Sequence, residues 1–201
     1  MKTDVLKLIK ERATVRKYKN KSIPKKILDK IIEAGIWGPS VPSFLRIQPW
    51  FFVVITNKSI KKQLSEIVLK KSKNSGAGVN ILLHSASNII KSAPVTIAVY
   101  NSGDMDKMKN RFKEIYSRFS GIIKKAEFSA ISAAIQNMIL GAESCGIGSC
   151  WLDTPLFCKE GINKLLKTDK ELIAILTFGY PAEKGKRSIR KNSIEAVKHI
   201  K

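Results

Sequence analysis

The segment FSAISAAIQNMILGAESCGIGSCWL (residues 128–152) decides how the chain is read. Phe128, Ile131, Ile135, Met138, Ile139 and Ala142 recur at the spacing of one helical face, which predicts a helix over 128–145. The opposing positions are small (Ala130, Ser132, Ala133, Ala134, Gly141) and let another backbone approach closely, so burial on two sides is expected. Gly146-Ile147-Gly148 ends the helix, and Ser149 to Leu152 reads as a short strand. Downstream, a polar helix is expected over 159–167. Glu171 to Tyr180 reads as a core strand closed by Pro181, and the tail 183–201 is polar, basic and longer than a single globule needs.

Upstream, residues 2–11 read as a short helix with Val5, Leu8 and Ile9 on one face. Pro24 stands at a helix start, Leu28, Ile31, Ile32 and Gly35 follow on one face, and Gly38-Pro39 stops the helix. Residues 50–56 and 94–100 are apolar and β-branched, as strands require, and Lys58 to Lys71 is helical with Ile60, Leu64, Ile67 and Val68 on one side. Residues 72–78 read as a loop, 81–90 as a helical cover or lid, and 103–125 as basic surface helix or loop. Helices and strands mix without regular alternation, so the expected class is α+β, in one domain over residues 1–201.

The chain has 201 residues with 37 Lys+Arg against 16 Asp+Glu, a formal charge of +21. That charge invites a nucleic-acid or membrane reading. Only seven of those cations are arginine (12, 16, 46, 111, 118, 187 and 190), and the lysines are spread along the whole chain. A surface that grips phosphates concentrates Arg, so a lysine-rich solvated surface is the preferred reading and nucleic acid the alternative. No apolar run reaches the roughly 20 residues of a membrane-spanning helix, and the amino terminus lacks the pattern of a secretory signal. A cytoplasmic location is expected. Cys145, Cys150 and Cys158 form neither a disulfide framework nor a zinc pattern, and no metal is expected.

His84 and His199 stand alone, and no nucleophile elbow, metalloprotease helix or phosphate loop is present. An enzyme of this composition relies on a cofactor for its chemistry. Arg12-Ala13-Thr14-Val15-Arg16 gathers two guanidiniums and a hydroxyl where the first helix ends, a set that can hold a phosphate monoester; an exposed basic helix end is the plain alternative. Gly38-Pro39-Ser40 and Gln48-Pro49-Trp50 set rigid turns around Ser40 and Gln48, suited to a flat polar heterocycle or simply to a helix-to-strand connection.

Taken together and in order, these segments resemble the nitroreductase family of flavin enzymes. The likeness is carried by Arg12-x-Thr14-x-Arg16-x-Tyr18, by Ile31 to Ser40, by Gln48 to Val54, by Ala133 to Ala142, by Gly146 to Trp151, by Phe178 to Glu183 and by the late basic pair Arg190-Lys191. The resemblance implies a central, mostly antiparallel sheet flanked by helices, in an intertwined homodimer that exchanges a carboxyl-terminal arm (about 183–201). It implies FMN as cofactor, NADH or NADPH as electron donor, and ping-pong hydride transfer to a flat, electron-poor small molecule such as a nitroaromatic or quinone. Arg12, Ala13, Thr14, Arg16, Arg190 and Lys191 would hold the phosphate end, with Arg187 nearby. Pro39 and Ser40 would back the ring, and Cys150, Trp151, Leu152 and Asp153 would lie along its reactive edge. A lid or pocket-shaping region is expected over about 72–125. Phe44, Phe112, Tyr116 and Phe119 are candidates for the substrate pocket; ordinary helix-face packing is the alternative for the last three. Cys150 and Cys158 suggest a redox pair, with buried spectator thiols the preferred reading.

The chain departs from the family between Ser40 and Gln48. The link Val41 to Ile47 is longer than usual and puts Arg46 where the family has an Asn that bonds the flavin edge. Arg46 or Gln48 would take over that bond, or Arg46 would face the substrate. Other readings are a family member with different flavin chemistry (dehalogenation, flavin breakdown) and a non-enzymatic basic protein that binds nucleic acid or senses flavin.

Overall fold

The computed structural model describes residues 4–41, 46–109, 113–185, 187 and 189–200, less the side chains of Ala77, Ser193 and Ile194. In chain order these form α1 (Val5–Glu11), α2 (Lys25–Ile36), β1 (Trp50–Ile55), α3 (Lys58–Lys73), α4 (Ala77–Ser92), β2 (Val95–Asn101), α5 (Asp104–Lys107), α6 (Lys113–Ser144), β3 (Gly148–Leu152), a 3-10 turn (Thr154–Cys158), α7 (Lys159–Leu166), β4 (Leu172–Gly179) and α8 (Ser193–Ala196).

Strands β2 and β4 are apolar on both faces because both faces are covered. Among the described residues the sheet has the order β1-β2-β4-β3, with every pair antiparallel. Side chains alternate across it, as the two-residue period of a strand demands. Val95, Ile97 and Val99 of β2 and Ala174, Leu176 and Phe178 of β4 face a core shared with Ile31 of α2 and with Ile131, Ile135 and Met138 of α6. Ala98, Tyr100, Cys150 and Ile175 face the second core, which contains Leu64 and Val68 of α3, Leu83 and Ile90 of α4, and Ile162 of α7. The α+β expectation and the strands near 50–56, 94–100, 149–152 and 171–180 are all realised.

Two expectations change. Helix α6 begins at Lys113, some fifteen residues before the predicted start, with one non-helical residue at Phe119 (φ −128°, ψ 18°). Its stripe is otherwise as read, except that Phe128 is exposed while Ile131, Ile135, Met138, Ile139 and Ala142 are buried. The small residues admit a neighbour inside the same chain: Gly38 lies on Ala134, and Gly141 on Ala34 of α2. The second change concerns residues 72–125. This stretch contains the central strand β2, and α4 covers the sheet through buried Leu83, Ala86, Ile89 and Ile90. Of the two readings given for 81–90, these buried side chains match the cover. Loop residues remain only at Asn74-Ser75-Gly76 of the predicted 72–78 loop.

Tyr100 is fully buried and its hydroxyl has no hydrogen-bond partner among the described residues. Burial pushes its pKa up to about 12. The fold therefore tolerates only the neutral phenol, whereas the unfolded chain ionises from about pH 10. Stability should fall as pH rises from about 10 towards 12. Tyr100→Phe removes an unsatisfied hydroxyl at nearly constant shape and is expected to gain about 1 kcal/mol at neutral pH. Urea midpoints at pH 7 and pH 11 check both points: the variant should lose less between the two than the parent, and an equal loss would contradict the assignment.

Candidate cofactor site

The segment that follows α1 is fixed at several points before any ligand is considered. Arg12 caps α1, its N–H donating to the carbonyl of Leu8 at 3.0 Å. Thr14 then pairs in parallel with Ser149 at the start of β3, and the Val15 N–H donates to the Ser149 carbonyl at 2.9 Å. Tyr18 pairs with Pro181, and its hydroxyl lies 2.8 Å from both the Val15 carbonyl and Thr177 Oγ1. Lys19 N–H donates to Tyr180 and Ala182 N–H to Lys17. Residues 14–19 thus run along one margin of the sheet, tied to β3 and to the chain leaving β4. Gly185 brings the tail back over this segment, so closely that a Cβ there would stand 2.6 Å from that of Ala13.

That return of the tail builds a cavity of about 470 Å³ lined by Ile9, Lys10, Arg12, Gln136, Arg187 and Arg190. Four cations and an amide converge in it. Glu143, on α6, lies beside them: burial pushes its carboxyl up, and the Arg12 and Arg187 guanidiniums pull it down. Glu11 acts on Glu143 as well, so two carboxylates stand close to the four cations. Guanidiniums carry forked, permanently charged donors that match phosphate oxygens two at a time, so the donor set fits a phosphate group. Arg12 and Arg190 are brought together here as expected. Arg16 and Lys191 do not line the cavity; Arg16 is exposed and its charge reaches the Cys150 thiol and Tyr18 hydroxyl instead. Lys10 and Gln136 were not singled out in the sequence. Their signals were a lysine in the last turn of α1 and a long amide among the small residues of α6.

The turn after α2 is held to the same region of α6. Gly38 packs so tightly that a Cβ would lie 2.7 Å from Ala134 Cβ, and Asn137 Nδ2 donates to the Trp37 carbonyl at 3.3 Å. The turn that leads to Pro39 and Ser40 is thus held on α6 at Ala134 and Asn137, which flank in sequence the Gln136 that lines the arginine cavity. The 41–47 link is closed by Val41 N–H on the Ile47 carbonyl at 2.8 Å. Arg46 is exposed and has φ +52°, a left-handed conformation that Asn tolerates better than Arg. Gln48 is exposed, and Phe44 lies outside the described residues.

On β3, Cys150 and Leu152 are buried towards the α3/α4 side. Trp151 packs on the α6 side, its indole N–H donating to Asp153 Oδ1 at 2.6 Å. Burial pushes the Cys150 thiol up to about 11, and Cys158 is likewise buried with its thiol raised, so both are protonated at neutral pH. They are packing thiols, since only the thiolate reacts. Of the aromatic residues proposed for the substrate pocket, Tyr116 is buried and offers no open face for stacking, because its side of α6 turns into the fold. Phe119 is half exposed at the irregular point of α6, and Phe112 lies outside the described residues.

Comparison with known proteins fits this geometry. Over 186 residues the chain is 29% identical to a putative NADH dehydrogenase/NAD(P)H nitroreductase of Methanothermobacter thermautotrophicus, covering 90% of this chain and 80% of that one. It is 28% identical over 191 residues to an iodotyrosine deiodinase of Nematostella vectensis, covering 88% and 67%. A crystal structure of a putative nitroreductase from Desulfovibrio desulfuricans, in complex with FMN, superposes with a TM-score of 0.73 over 100% of this chain and 99% of that chain at 24% identity, a likeness of fold. The model of the nitroreductase family matches residues 9–180, and the chain belongs to that family.

Proposed function

We propose that this chain is an FMN-dependent NAD(P)H oxidoreductase that works as a homodimer. The observation that carries the reading is the cavity in which Arg12, Arg187 and Arg190 converge. When bound, FMN supplies ping-pong hydride chemistry, from NADH or NADPH to a flat, electron-poor acceptor such as a nitroaromatic or quinone. The chain's own residues bind and orient. Arg12, Arg187 and Arg190 take the phosphate, with Lys10 adding charge, while Gln136 and Thr14 offer neutral polar groups beside it. Ala13 shapes the floor under Gly185. Pro39 and Ser40 would back the ring, a reading supported by the close packing of the neighbouring Gly38 on α6. Arg16, Gln48 and the segment Cys150 to Asp153 are assigned to the ring edge, and Lys191 to the rim of the phosphate site. Placement within contact distance supplies most of the rate in chemistry of this kind.

The dimer is supported by the apolar surface that one copy leaves bare. None of α1 is buried, although Val5, Leu6 and Ile9 are on it. Trp37 is 78% exposed, and in the tail Ile189 and Ile200 are exposed as well. Among the described residues strand β1 pairs only with β2, and its other edge suits an added strand from a partner's arm. Among the described residues no helix is long and apolar enough to cross a membrane. The small cluster of arginines accounts for the phosphate-gripping part of the charge, so nucleic acid is not the proposed partner.

A second reading keeps the cofactor and changes the acceptor. The likeness to an iodotyrosine deiodinase extends over most of the chain, and the long 41–47 link departs from the usual pattern beside the ring, which favours reductive dehalogenation as the competitor. Purified protein tests the main reading. A yellow sample whose flavin absorbance bleaches anaerobically with NADH or NADPH is the expected result. A colourless sample that does not take up added FMN overturns it. The reduced protein, offered nitroaromatics, quinones and haloaromatics in turn, separates the two acceptor classes by which one restores the absorbance.

A further inference from the structure

The first two turns of α3 carry Lys58, Lys61 and Lys62, with no acidic residue in the first turn. That placement opposes the helix macrodipole, which favours carboxylates at this end. Lys61 is also buried, at 6% exposure. Its Nζ donates to the carbonyls of Ala93 at 2.6 Å and Pro94 at 2.8 Å, the two residues that join α4 to β2. An ammonium has three donors, so one N–H remains, and among the described residues no carboxylate stands within 4 Å of it.

The same residues line a cavity of about 560 Å³, together with Lys21 and Lys91. Lys62 leans towards Glu66 at 3.9 Å on the surface, and Lys21 stands 4.4 Å over the Tyr180 ring. Lys58 and Lys91 have no carboxylate partner among the described residues. Five cations therefore border one concavity that no carboxylate lines, and this cavity shares no lining residue with the arginine cavity near Arg12. Converging like charges raise the local potential and hold anions there. A local arrangement that opposes both the helix dipole and mutual repulsion is the sort of conflict that proteins retain at functional sites.

We propose that this cavity is a second anion site, taking a small ligand with more than one phosphate group, held by Lys58, Lys61 and Lys91. The charges face a hollow instead of following a strip of surface, so a compact oligophosphate suits them better than a nucleic-acid backbone, which is tracked along a groove. The proposal stands apart from the flavin reading.

Inorganic pyrophosphate is the probe, titrated calorimetrically into the purified full chain with and without saturating FMN. A saturable one-to-one heat, unchanged by FMN, is expected. Lys58→Ala/Lys91→Ala should weaken it by about tenfold or more, since each replaced cation removes a charge-assisted contact, and these exposed positions leave the core intact. Orthophosphate should bind at least about tenfold more weakly than pyrophosphate for the same reason. The proposal is overturned by the absence of saturable heat, by parental affinity in the double variant, by equal binding of orthophosphate, or by loss of the heat when FMN is bound, which would move the binding to the arginine cavity. Salt-sensitive retention of duplex DNA without pyrophosphate binding would overturn it in favour of a nucleic-acid surface.

Discussion

Arg12→Ala should lower FMN affinity by about 10- to 100-fold. The figure follows from the roughly 1.5–3 kcal/mol attached to a hydrogen bond with a charged partner, at 1.4 kcal/mol per decade. Arg12 is suited to carry that much because its own N–H is fixed on Leu8 and the chain two residues on is fixed by the pairing of Thr14 with Ser149. A side chain on a fixed backbone has less freedom to lose on binding than one on a mobile loop, so more of its contact energy appears as affinity. Quenching of flavin fluorescence on titration with apoprotein measures the effect. Riboflavin supplies the control: it has the ring and ribityl chain without the phosphate, so its affinity should be nearly the same for the parent and the variant. Arg187→Ala should behave as Arg12→Ala does, since both arginines line one cavity and both act on Glu143. If riboflavin lost as much affinity as FMN, the guanidinium would be acting on the ring and not on the phosphate.

The parts of this arrangement that were legible in the sequence are those with a local cause. Pro24 starts α2, and Gly146, at φ +70°, ends α6, with its own N–H on Glu143 and the Ile147 N–H on Ala142. Both are written in residue type, because one presets the helical backbone and the other alone enters the left-handed region freely. The strands were legible from their apolar runs. The first fifteen residues of α6 were legible only as surface helix or loop: Lys113 to Glu127 is rich in basic and small residues, and its apolar positions Ile115, Phe119 and Ile122 are exposed, with only Tyr116 and Glu127 buried, so nothing in the segment joins it to the core stripe that follows. Helix α4 was legible only as a cover or a lid, for a related reason. Ile81 and Leu82 are exposed while Leu83, Ala86 and Ile90 are buried, so its apolar residues do not separate cleanly into one face. At the site, Arg12 and Arg190 were found through family motifs. Their convergence with Lys10, Gln136 and Arg187 depends on the tail returning at Gly185, a contact between residues some 170 positions apart that no window of sequence contains.

Gly148 shows how closely fold and site are joined, and Gly148→Ala is expected to damage both. An ideal Cβ at this position would lie 2.7 Å from Val15 Cγ2, 2.8 Å from Val15 Cβ and 3.0 Å from Val15 Cγ1. Carbon atoms in favourable contact stand about 3.5–4.0 Å apart. Rotating the Val15 side chain moves the two methyls but not its Cβ, so the clash is relieved only if the backbone of residues 13–16 withdraws from β3. That withdrawal strains the 2.9 Å bond from Val15 N–H to Ser149, and it carries Thr14 and Arg12 with it. Overpacking of this kind costs about 1–3 kcal/mol, which for a chain of this size corresponds to a fall of roughly 2–12 °C in melting temperature. The displacement should also weaken FMN binding, although residue 148 brings no polar side chain to the phosphate. Val15→Ala in the same chain removes two of the three overlaps and leaves the Cβ contact, so it should restore part of the loss and no more. Gly146→Ala is the internal comparison. A Cβ there meets nothing within 4 Å, so its cost comes from the left-handed backbone alone and should leave FMN affinity unchanged. Melting curves and FMN titrations on the three variants decide the matter: parental stability and affinity in Gly148→Ala would mean that the strand bearing Arg12 does not rest on β3 at this point.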